Sequence, residues 1–110
     1  KKKMTDLQLL EYRNQLLLTY GSLLTDMQRK MMEDYYQYNL SLSEISENYG
    51  VSRAAVSDCL KKSELKLEDY ENKLHYLQKK KEMQARLEAL KKLSKEEILE
   101  ELERMMDDGI

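Results

Sequence analysis

Leu40 to Lys62, LSLSEISENYGVSRAAVSDCLKK, constrains the fold more than any other stretch of the chain. Ser41 is placed to cap a helix, and Glu44 three residues on completes a Ser-x-x-Glu capping box, so that backbone N–H groups at both positions find partners. Leu42, Ile45 and Tyr49 then fall on one helical face. Gly50 follows at once, where a helix end favours a residue tolerant of positive φ. Val51 is expected to pack the turn, Ser52 to cap a second helix, and Val56, Cys59 and Leu60 to give that helix its buried side. Two short helices joined in this way make a helix-turn-helix. An ordinary αα-corner uses the same glycine turn and the same apolar spacing.

The flanking sequence is helical as well. Charged residues make up 36% of the 110 residues, and Pro, Trp and Phe are absent, so Leu, Met and Tyr must fill one modest core. The expected fold class is all-α. Leu7, Leu10, Asn14, Leu17 and Leu18 mark a first helix ending near Tyr20-Gly21. Thr25 and Gln28 form a second capping box, and Met27, Met31, Met32 and Tyr35 give the helix behind it an apolar face that Asn39 closes. Beyond Leu60 no stop signal appears before Ser94. Leu67, Tyr70, Leu74 and Leu77 keep a three-and-four spacing, which predicts one long helix with a bend near Lys79-Lys80-Lys81. Met83, Leu87 and Leu90 resume the pattern in a shifted phase. Ser94 and Glu97 box a last acidic helix carrying Ile98, Leu99, Leu102, Met105 and Met106, expected to fray at Asp107-Asp108-Gly109. The division expected is a helical domain over 1–62, with the helix-turn-helix at 41–62, and a helical arm with the acidic helix over 63–110.

Several classes of function are disfavoured. His75 is the sole histidine and Cys59 the sole cysteine, so no His-based metal cluster and no internal disulfide can form. No glycine-rich phosphate loop occurs, no catalytic residue stands out, and neither a metal nor a cofactor is expected. Cys59 is expected to be a buried structural thiol and His75 a solvated side chain. The unpaired cysteine points to a reducing, cytoplasmic setting. No apolar run approaches the ~20 residues of a membrane span. Lys1-Lys2-Lys3 is basic, but no signal-like apolar core follows before Asp6.

Binding is the class that remains. In a helix-turn-helix, the exposed side of the second helix meets base edges in the major groove. Here that side offers Arg53, Ala54, Ser57, Asp58, Lys61 and Lys62. Arg53 can hold guanine through two hydrogen bonds, and Ser57 can serve a base or a phosphate. Asp58 opposes phosphate. The stretch from Ser41 to Lys62 balances Glu44, Glu47 and Asp58 against Arg53, Lys61 and Lys62, and so has no net charge. Further positive charge collects at Lys66 and at Lys79, Lys80 and Lys81, a stripe able to grip the phosphates of structured RNA or of DNA. The same lysines, interleaved with Glu82 and Glu88, would also make an ordinary solvated face. Leu67, Tyr70, Leu74 and Leu77 form an apolar stripe that a small core leaves uncovered, which a symmetric partner chain or the folded-back C-terminal helix would cover.

Leu24-Thr25-Asp26-Met27-Gln28-Arg29-Lys30, Tyr35-Tyr36, Leu42-Ser43-Glu44-Ile45 and Val51-Ser52 resemble the fourth region of bacterial sigma factors. A closer resemblance is to the YlxM-like family. It runs through Tyr20-Gly21-Ser22-Leu23-Leu24-Thr25, Gln28, Tyr35-Tyr36, Leu40 to Ile45, Val51 to Val56, Asp58 and Tyr70 to Leu74. That resemblance implies a sigma-region-4-like helical fold. Because genes of this family lie beside that of the signal recognition particle protein, it also implies a regulatory role in that pathway, with the particle's RNA or its protein as partner. A DNA-binding transcription regulator and a scaffold that binds only protein are the alternatives. Sigma factors carry more positive charge in the reading helix than Arg53 to Lys62 does.

Overall fold

The computed structural model describes residues 4–108, so the basic start at Lys1-Lys2-Lys3 and the Gly109 end of the expected fraying lie outside the described residues. The described residues form six α-helices and no strand: α1 (Asp6–Tyr20), α2 (Asp26–Tyr36), α3 (Leu42–Tyr49), α4 (Arg53–Leu74), α5 (Tyr76–Leu90) and α6 (Lys95–Asp107). A single 3-10 turn, Gly21–Leu23, joins α1 to α2. The fold is an all-α helix-turn-helix bundle. The chain parts into two compact units at Leu77 and Gln78. The division expected at 62/63 instead falls within α4, which passes through it unbroken.

Local chemistry sets the helix starts. Thr5 with Gln8, Thr25 with Gln28, Ser41 with Glu44 and Ser94 with Glu97 each form a complete reciprocal capping box. Each box satisfies an otherwise orphaned N–H in the first turn and another at the cap. The Ser41 N–H donated to Glu44 at 3.0 Å also holds that carboxyl below its ordinary range, keeping negative charge at the positive end of α3.

In the first unit α4 is the common partner of α1, α2 and α3. Leu16, Leu17 and Tyr20 from α1, Met31 and Met32 from α2, Ile45 from α3, and Val56, Leu60 and Leu67 from α4 build the core, with Leu24 and Leu77 at its margins. The inner face of α1 differs from the one expected. Leu7, Leu10 and Leu18 are exposed, Leu7 at 66%, while Leu16 and Tyr20 take the buried places. Met27 is likewise exposed, and Cys59 is half-buried against the core.

With no Phe or Trp, this core is partly built from tyrosines, and a buried hydroxyl needs a partner. Three glutamates at helical spacing on α4 supply most of them. Tyr36 donates to Glu64, Tyr12 to Glu68 at 3.3 Å, and Tyr20 to the buried Glu71 at 2.6 Å. Arg13 stands 3.8 Å from Glu64, tying α1 to the same ladder. Tyr49 of α3 donates to Asp34 of α2 at 2.9 Å. Burial first, and the neighbouring carboxylate after it, raises the pKa of all four tyrosines, that of Tyr12 to about 12.

The long helix expected beyond Leu60 stops earlier than its pattern suggests. His75 takes a left-handed conformation, φ 52°, and ends α4 five residues before the lysine run. The Glu71 carboxylate accepts from the Leu77 N–H at 3.0 Å, and the Tyr20 hydroxyl accepts from the Tyr76 N–H at 3.2 Å. A side chain from α1 and another from the preceding turn of α4 therefore cap α5. His75 is exposed, as expected, but its backbone makes the turn.

Candidate nucleic-acid interface

The turn between α3 and α4 is built to fix one helix against the other. Gly50 has φ 66° and ψ 33°, the left-handed conformation that closes α3, and the Val51 N–H reaches back to the Ser46 carbonyl at 3.2 Å. The Ser46 hydroxyl donates to the Val51 carbonyl, closing the turn from the other side. Val51 itself stays partly exposed rather than packing the turn. Ser52 accepts from the Ala55 N–H at 3.0 Å and starts α4. Ile45 of α3 and Val56 of α4 are fully buried, which sets the two helices together and directs the other side of α4 outward.

The first turn of α4 carries no acidic residue, so its positive dipole end is uncompensated. Arg53, Ser57 and Lys61 stand in one row at four-residue spacing, with Ala54, Asp58 and Lys62 in the next. Arg53, Ala54 and Lys61 are exposed and Ser57 is half-buried. Asp58, the obstacle to phosphate, is answered within the protein: its carboxylate lies 3.0 Å from Lys62 Nζ. Both groups are exposed, so the pair contributes about 1 kcal/mol or less and opens easily. Arg53 and Lys61 have no carboxylate partner among the described residues.

The remaining expected residues are dispersed. Lys66 points away from the Arg53 row and donates to Gln28 of α2 at 3.3 Å. Lys79, Lys80 and Lys81 are exposed on α5, in the second compact unit. The stripe expected to be covered by a partner chain or by the folded-back C-terminal helix is largely covered within the first unit. Leu67 and Leu77 are buried in the first unit's own core, and Tyr70 lies half-buried with its ring centroid 6.0 Å from that of Tyr20. Only Leu74, at 53%, is open to solvent.

Among the described residues no cluster of His, Cys, Asp or Glu could hold a metal ion, and no helix is long and apolar enough to cross a membrane. The ladder of Glu64, Glu68 and Glu71 was the feature hidden in the sequence. Its signal was the match between a core short of Phe and acids recurring on the inward side of α4.

Residues 7–108 match the family described as "Putative helix-turn-helix protein, YlxM / p13 like". The chain belongs to this family. Similar YlxM / p13-like proteins, each named UPF0122 protein, occur in Bacillus thuringiensis strain Al Hakam, Bacillus cereus strain 03BB102 and Bacillus anthracis strain A0248. Each is 46% identical over 96 residues, covering 86% of this chain and 87% of the relative. The match spans both compact units, so in this YlxM / p13-like chain α5 and α6 belong to the family pattern as much as the helix-turn-helix does.

Proposed function

We propose that this chain is a non-enzymatic, cytoplasmic regulatory protein that binds duplex DNA through the N-terminal third of α4. The observation that carries the reading is the outward row Arg53, Ser57 and Lys61 at the uncompensated start of a helix set by a capped, left-handed glycine turn. Arg53 reads a guanine edge, while Ser57, Lys61 and the first-turn N–H groups take phosphates. On phosphate contact Lys62 leaves Asp58 and joins the grip.

A second reading rests on Lys79, Lys80 and Lys81, exposed together on α5. They would hold structured RNA by its phosphates without reading sequence. The signal recognition particle's RNA is the candidate there, and the particle's protein the candidate for a nucleic-acid-free role. Both come from the family resemblance alone.

A titration of the full chain against duplex DNA, the particle's RNA and the particle's protein, at two salt concentrations, separates these readings. The proposal expects duplex DNA to bind with affinity that falls steeply as salt rises. Tight, salt-insensitive binding to the protein with no DNA binding would overturn it.

A further inference from the structure

A groove in the first unit lies between α1 and α4 and holds a cavity of about 300 Å³. That is the small end of ligand-pocket sizes, about 300–1,000 Å³. The buried side chains of Leu16, Met32 and Leu67 line it, and so does Leu65, which is 70% exposed. Among the described residues no aromatic ring lines the groove, so its apolar part suits a flexible aliphatic chain better than a flat ring.

Four charged side chains also line this groove, and they are not equally engaged. The Glu64 carboxylate accepts from the Tyr36 hydroxyl and lies 3.8 Å from Arg13, and the Glu68 carboxylate accepts from Tyr12 at 3.3 Å. Arg13 meets Glu64 and the Tyr36 hydroxyl through Nη1, which leaves donors at Nε and Nη2. Lys61 Nζ has no partner among the described residues. The spare capacity is therefore cationic and donating, and it matches an anion. With two carboxylates close by, a singly charged head group fits better than a phosphate dianion.

We propose that the α1–α4 groove binds an aliphatic carboxylate of about ten non-hydrogen atoms, taking roughly 30 Å³ for each. Its head meets Lys61 and Arg13, and its tail lies over Leu16, Met32 and Leu67. Lys61 belongs both to this groove and to the outward row Arg53, Ser57 and Lys61, which runs on at the same spacing to Leu65. A bound carboxylate takes the charge that Lys61 otherwise offers to phosphate. Ligand and DNA then oppose each other, by the same factor in both directions. That coupling rests on the DNA reading; the groove as a binding site does not.

Octanoate is the probe, titrated calorimetrically into the full chain. A Kd of about 0.1–1 mM is expected. Octanol has the same tail without the charge and octylammonium has the opposite charge; each should bind at least about tenfold more weakly. Lys61 and Leu65 are exposed, so replacing them spares the fold. Lys61→Gln should weaken octanoate about five- to tenfold and Leu65→Gln about threefold, the latter with DNA affinity unchanged. Saturating octanoate should lower the affinity of the wild type for duplex DNA several-fold. No binding of octanoate at several millimolar overturns the site. So do equal affinities for octanoate and octylammonium, or wild-type octanoate affinity in Lys61→Gln. Octanoate that binds without changing DNA affinity overturns the coupling. A chain that binds octanoate but no duplex DNA retains the site and removes the DNA reading instead.

Discussion

The Tyr20 hydroxyl donates to the buried Glu71 carboxylate at 2.6 Å, and this pair holds the first two N–H groups of α5. One contact between α1 and α4 thus decides where α4 ends and α5 begins. Tyr20→Phe should destabilise the first unit by about 1–3 kcal/mol, because Glu71 stays buried with one donor fewer. Tyr20→Phe and Glu71→Gln should couple by about 0.5–3 kcal/mol in a double-mutant cycle from denaturant unfolding. Additive effects would mean that the two side chains do not act as a unit.

Gly50 has open space where a Cβ would sit, so any cost of replacing it comes from its positive φ alone. Gly50→Val should cost about 1–3 kcal/mol, and Gly50→Asn less, because Asn tolerates the left-handed region. The order of the two denaturant midpoints checks the cause. Equal losses would point to packing instead.

Much of this local structure is legible in the sequence. The boxes at Thr25, Ser41 and Ser94 and the turn at Gly50 depend on residues a few positions apart, and each forms as the pattern indicates. The end of α4 is different. His75 carries no glycine or proline signal, and its left-handed turn is held by Tyr20, more than fifty residues away. The inner side of α1 was hidden for another reason. Leucines occur around much of that helix, so periodicity could not separate Leu16 and Leu17 from Leu7 and Leu18; packing on α4 does. For the interface, the sequence named the row on α4 but not the ion pair that ties Lys62 to Asp58.

Stability should fall in alkali. Tyr12, Tyr20, Tyr36 and Tyr49 all have folded pKa values raised above the ordinary value near 10, Tyr12 to about 12. The unfolded chain therefore loses these protons first, and their contribution, complete below pH 10, is lost as pH rises through the folded values. Tyr12→Phe should flatten part of that decline between pH 10 and about 12. Unfolding midpoints taken across this range check it; an unchanged slope would contradict it.

Asp58→Asn removes the carboxylate nearest the proposed phosphate contacts and releases Lys62. Affinity for duplex DNA should rise several-fold at low salt, and the gain should shrink as salt is raised. Folding stability should change by about 1 kcal/mol or less. Fluorescence anisotropy with the wild type and the variant side by side reads both the size and the salt dependence.

The most direct measurement compares Arg53→Ala with the joint replacement of Lys79, Lys80 and Lys81 by Ala, over a panel of duplexes differing at single base pairs. If α4 reads DNA, Arg53→Ala relaxes preference at one position by about 1–3 kcal/mol, while the triple lysine change weakens all sequences alike or leaves them unchanged. A severe loss from the triple change with full base preference retained in Arg53→Ala would contradict the account and move the interface to α5.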